Sequence, residues 1–96
     1  MPPLYDGLLI TYWLLPDRHA ILIKGTGDPV HDRQVRRKFE SLAKSASGKS
    51  LSWRARPRGY MLARVTPPRY PAVATALRLS WTPQSDQIRP PRDVLG

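Results

Sequence analysis

The segment Leu51-Ser52-Trp53-Arg54-Ala55-Arg56 alternates apolar and polar residues without a break, and Pro57-Arg58-Gly59 follows directly. Strict alternation is the pattern of a strand with one face in a core and the other in water. A three-residue loop with Gly59 in the left-handed position of a bulge turns the chain back. Loop length sets the pairing. Met61, Ala63 and Val65 fall on the core side opposite Ala55, Trp53 and Leu51, while Tyr60, Leu62 and Arg64 share the outer face with Arg56, Arg54 and Ser52. A two-residue turn would shift the register by one and bury Arg64, at a large desolvation cost.

The remaining patterns extend this hairpin into a domain. Gly7 to Leu14 reads as a strand, Pro16-Asp17-Arg18 as a turn and Ala20 to Lys24 as a second strand closed by Gly25-Thr26-Gly27. The near-continuous apolar character of this first hairpin predicts partial cover on both faces. Asp28-Pro29 opens a helix, since a capping side chain precedes proline at the first helical position. Val35, Phe39, Leu42, Ala43 and Ala46 form its apolar stripe, Arg33, Arg37, Glu40 and Lys44 lie opposite with Arg36 and Lys38 flanking, and Gly48 stops it. After the stiff connector Thr66 to Pro71, a second helix over about 71–79 buries Val73, Ala76 and Leu77. The predicted fold is α+β: two ββα units forming a four-stranded antiparallel sheet, with two helices packed on one face.

Ninety-six residues suffice for one domain with one core, assigned to 1–82. Residues 83–96 read as an extended Pro-rich tail, ordered only if something holds it, with Ile88 or Val94-Leu95 as the available anchors. Trp13, Trp53 and Trp81 read as core anchors, Trp81 having exposed docking as an alternative, and Trp53 is expected to be the residue whose loss damages the fold most.

Charge carries the functional expectation. Sixteen Lys and Arg face seven Asp and Glu, a formal +9, and the cations are mostly arginine, whose planar fork suits phosphate and carboxylate. From Gly48 to Thr66 the chain carries Lys49, Arg54, Arg56, Arg58 and Arg64 and no acid, whereas residues 1–27 are neutral by count. An outward Arg-Arg-Tyr surface offers phosphate contacts and, in Tyr60, a ring for a base. Arg36 and Arg37 on the first helix form a secondary basic patch. The first expectation is therefore a small basic nucleic-acid-binding accessory protein, with DNA and RNA both open. The alternative is a protein-binding module or inhibitor of the mobile-element or phage type, docking its basic face on an acidic or nucleic-acid-binding site of a larger enzyme. Monomer and homodimer are both open.

The segment Arg58-Gly59-Tyr60-Met61-Leu62-Ala63-Arg64 resembles the Gly-Tyr-Arg strand of ribosome-dependent endoribonuclease toxins of bacteria. That resemblance implies a third reading, a small endoribonuclease. It covers seven residues, the N-terminal hairpin departs from the helical start of those toxins, and no catalytic residue carries over.

No catalytic signature is present, so the chain is read as not an enzyme, with no cofactor and no metal. Cysteine is absent, which excludes disulfides and thiolate metal sites. His19 belongs to a turn and His31-Asp32 to a helix start. Gly25-Thr26-Gly27 lacks the further glycine and the Lys-Ser/Thr of a phosphate loop and reads as a turn. Arg89-Pro90-Pro91-Arg92 is similar to a short polyproline ligand. Leu8 to Leu15, the longest apolar run, is about half of a membrane span, and Met1 to Asp6 has no basic region of a secretory signal. A cytoplasmic protein without membrane partners is the expectation.

Overall fold

The central strand of the sheet is the most apolar one. Ala20-Ile21-Leu22-Ile23 is buried on both sides, and only an interior strand flanked by neighbours and covered on both faces accommodates such a run. The computed structural model describes residues 4–5, 8–84 and 88–96. The Met1 to Asp6 reading and Ser85-Asp86-Gln87 of the tail lie largely or wholly outside them.

Strands β1 (Leu4–Tyr5) and β2 (Leu8–Leu9) form a two-stranded ladder of their own. The main sheet comprises β3 (Tyr12–Leu15), β4 (Ala20–Lys24), β5 (Trp53–Ala55) and β6 (Tyr60–Arg64), all antiparallel in the order β3-β4-β6-β5. Helix α1 (Pro29–Ser47) joins β4 to β5, and α2 (Tyr70–Ser80) follows β6. The first predicted strand is corrected. Its residues divide between β2 and β3, with Ile10 and Thr11 between them, so the sheet receives Tyr12 to Leu15 only.

The predicted register of the second hairpin holds: Trp53 pairs with Ala63, Arg54 with Leu62 and Ala55 with Met61. The Arg56 N–H donates to the Tyr60 carbonyl at 2.7 Å, closing the loop over Pro57-Arg58-Gly59, where Gly59 has φ +79° and Arg58 φ +59°. Arg58 thus occupies a left-handed conformation that a side chain adopts at some cost.

On the helix side, Tyr12, Leu14, Ile21, Ile23 and Ala63 of the sheet meet Val35, Phe39 and Ala43 of α1 and Tyr70, Val73 and Leu77 of α2. Phe39 is the hub. Trp81 stacks on it at 4.8 Å, Tyr12 meets it edge-on at 5.1 Å and Trp53 at 6.2 Å. The Tyr12 hydroxyl donates to the Trp81 carbonyl at 2.7 Å, which fixes the chain as it leaves α2. Trp81 is 1% exposed and is a core anchor. Trp53 is only half-buried on the edge strand, its indole N–H donating to Glu40 Oε2 at 2.8 Å, so the aromatic anchor of this core is Trp81 rather than Trp53.

The other face of the sheet carries a second cluster of Trp13, Ala20, Leu22, Tyr60 and Leu62, covered by Val94 with Leu15 and Leu95 packed alongside. The C-terminal segment lies across this face. Trp13 Nε1 donates to the Ile88 carbonyl at 3.1 Å, Arg56 Nε donates to the Val94 carbonyl at 2.8 Å, and Val94 is fully buried. The outer face is therefore not open across its width, because its apolar strip would otherwise stand in water. Val94-Leu95 anchors the segment, whereas the Ile88 side chain is exposed.

Candidate nucleic-acid interface

Side-chain alternation and register place both Arg54, on the edge strand β5, and Arg64, at the end of the neighbouring interior strand β6, on the outer face of the sheet. Both are exposed, and together with Ser52, Trp53 and Leu62 they line a shallow cleft of about 280 Å³. Neither forms an ion pair with a described residue. Two guanidiniums on neighbouring strands with apolar side chains beneath them hold positive charge on a rigid platform.

The rest of the predicted surface is divided. Arg56 is half-buried and committed to the Val94 carbonyl. Arg58 stands at the hairpin tip in a two-pronged contact with the Asp93 carboxylate, Nη2 to Oδ1 at 3.0 Å, and its guanidinium lies 5.8 Å from the Tyr60 ring. That guanidinium holds the Asp93 carboxyl below its ordinary pKa of 3.8. Tyr60 is corrected: expected as an exposed ring, it is 7% exposed, packed 6.0 Å from Trp13 within the cluster that Val94 covers. An aromatic beside an apolar strip is more stable covered than wet. Lys49 is exposed in the loop entering β5, where its carbonyl accepts from Arg69 Nη2 at 2.6 Å. Arg36 and Arg37 sit on α1, in the helix layer that covers the opposite face of the sheet from Arg54 and Arg64. Arg37 is exposed and Arg36 half-buried beside Gly25, Gly59 and Met61.

The start of α1 is occupied by its own carboxylates. Asp28 Oδ1 accepts from the Val30 N–H at 3.0 Å, and Asp32 Oδ1 accepts from the Thr26 N–H and hydroxyl at 2.9 and 2.7 Å. Burial pushes the Asp32 carboxyl up, but the bonds from Thr26, with His31 and the Gly27 N–H adding to them, outweigh burial and hold it below its ordinary value. His31 Nδ1 lies 3.6 Å from this carboxylate. The glycine-flanked turn serves the cap, and two acids there oppose a bound phosphate.

Comparison with protein-family models, with curated proteins and with solved structures finds no match. Among the described residues, no helix is long and apolar enough to cross a membrane.

Two features escape the sequence reading. Arg69 clamps the end of α1, its Nε donating to Ser47 Oγ at 3.2 Å and its Nη2 to the Lys49 carbonyl. Arg18, Arg78 and Arg89 converge on a second cleft where the first hairpin, α2 and the C-terminal segment meet. The apolar pair Val94-Leu95, closing an otherwise polar segment, was the one sequence signal for that meeting.

Proposed function

We propose that this protein is a small nucleic-acid-binding accessory protein that contacts phosphates through the outer edge of the β5–β6 hairpin. The observation that carries the reading is the pair Arg54 and Arg64, exposed side by side over one cleft and unpaired with any described acid. Lys49 is exposed in the loop that enters β5, and Arg56 and Arg58 lie further along the hairpin. Arginine forks on a fixed sheet give bidentate phosphate contacts at little ordering cost. Contacts of this kind position a strand without reading its sequence. The test is Arg54→Glu with Arg64→Glu, two exposed substitutions that leave the core untouched. Binding to a mixed-sequence oligonucleotide is expected to be lost with the melting temperature retained, and binding undiminished in the double variant overturns the proposal.

One observation favours a second reading. Arg58 pairs with the Asp93 carboxylate and Arg56 donates to the Val94 carbonyl, so the hairpin already holds one peptide, the C-terminal turn of the chain itself. A protein-binding module would use the same edge against an acidic surface of a larger enzyme. A tight complex with a co-purifying protein that survives nuclease treatment distinguishes it.

A further inference from the structure

The cleft that Arg18, Arg78 and Arg89 share is about 390 Å³, larger than the one beside Arg54 and Arg64. Its apolar wall is Leu14, Leu15, Pro16, Pro90 and Leu95, its rim is the three arginines, and Asp17 is the one acid lining it. Arg78 has a local role, as a cation in the last turn of α2 where the helix dipole favours it. Arg18 and Arg89 have no such account. They come from the β3–β4 turn and the C-terminal segment, both are exposed, and neither pairs with a described acid. A concave apolar surface with a few converging charged groups, at the lower end of the volumes that hold small ligands, is the form of a site for one small amphipathic anion.

Position selects the anion. Leu15 pairs with Ala20, and Ala20 pairs with Arg64, so this cleft lies at the same end of the sheet as Arg64, wrapping the β3 edge with Leu15 on the outer face and Leu14 and Arg78 on the helix side. Two strand spacings, about 10 Å, separate Leu15 from Arg64, a span that neighbouring nucleotides of one chain can bridge. We infer that the cleft holds one unstacked nucleotide of a single strand, its phosphate between Arg18 and Arg89 and its base against Leu15, Pro90 and Leu95. This rests on the nucleic-acid reading and names its substrate class as single-stranded. A duplex reaches the phosphate-binding edge but places a base in the cleft only by unstacking and unpairing it, at a few kcal/mol. The wall is aliphatic and has no groove-reading side chain, so it accepts any base. Because Arg89, Pro90 and Leu95 belong to the C-terminal segment, an occupied cleft also holds that segment down.

The experiment compares a ten-nucleotide single strand with a duplex of equal length at one salt concentration. The proteins are the wild type, Arg18→Gln/Arg89→Gln and Arg54→Gln/Arg64→Gln, and a nucleoside monophosphate is titrated separately against the backbone amides. Wild type is expected to prefer the single strand about tenfold or more, as the unpairing cost requires. Arg18→Gln/Arg89→Gln removes that preference and leaves the duplex affinity within about twofold, whereas Arg54→Gln/Arg64→Gln weakens both ligands together. The monophosphate shifts the amides of Leu15, Arg18, Arg89 and Leu95, and inorganic phosphate alone leaves Leu15 and Leu95 unmoved. Equal affinity of wild type for both ligands, or equal loss of both in Arg18→Gln/Arg89→Gln, overturns the inference while the edge reading stands. Failure of wild type to bind either oligonucleotide overturns the edge reading. In that case a monophosphate that shifts the four amides keeps the cleft as a nucleotide site, and one that does not removes it.

Discussion

Val94→Ala measures what the C-terminal segment contributes. Val94 is fully buried against Trp13, Leu22, Tyr60 and Leu62, and truncation removes two methyl groups from that contact. At about 0.8 kcal/mol for each group transferred, plus the cost of the residual cavity, the loss is about 2–3 kcal/mol. The Arg58–Asp93 pair cannot compensate, because both partners are more than half exposed and screened by water and salt. For a domain of this length, 2 kcal/mol lowers the melting temperature by roughly 8–16 °C. Urea unfolding of wild type, Val94→Ala and the control Leu79→Ala, whose side chain is 84% exposed, checks the figure. The expected result is a lower midpoint at unchanged slope for Val94→Ala and no shift for the control. A Val94→Ala protein within about 0.5 kcal/mol of wild type, the range of ordinary surface substitutions, would refute the docking. Tyr60 and Trp13 would then be available on an open face.

Three further outcomes follow from the packing. Trp81→Ala should cost about 3–5 kcal/mol and leave little folded protein, whereas Trp53→Ala, on the half-buried edge, should remain soluble and melt cooperatively; circular dichroism melts of both decide the order. Gly25→Ala should destabilise by about 1–3 kcal/mol, because its methyl would lie 2.6 Å from the Gly59 carbonyl oxygen, which also accepts the Gly25 N–H at 3.1 Å; a melting temperature equal to wild type would contradict that approach. The depressed Asp93 carboxyl favours the docked segment at neutral pH, and the contribution is lost as pH falls below about 4 through its folded value. Trp13 emission should change over that range and change less in Asp93→Asn.

The hairpin register was legible because alternation and loop length act locally, and each placed Arg54 and Arg64 on the outer face without knowledge of the rest. The helix bounds were legible for the same reason, since Asp28 and Gly48 act on adjacent backbone. Tyr60 was misjudged because its cover comes from Val94, thirty-four residues away, within a segment whose composition reads as unfolded. Composition measures average burial, whereas two apolar side chains can hold a polar segment where a strip of Trp13, Leu22 and Leu62 needs cover. Trp53 and Trp81 exchanged importance through strand order. Pairing β4 with β6 leaves β5 at the edge, and neither hairpin encodes that choice alone. The Arg18–Arg89 cleft has no local signature, since it exists only once the C-terminal segment has docked.

The most direct test of the phosphate-binding edge is the salt dependence of single-strand binding in wild type and in Arg54→Gln/Arg64→Gln. Each neutralised phosphate of a single strand contributes a slope of about 0.7 in log affinity against log salt. Losing two contacts should therefore lower the slope by about 1.4 and weaken binding at every salt concentration below the point where the two lines meet. An unchanged slope and affinity in the double variant would contradict the account.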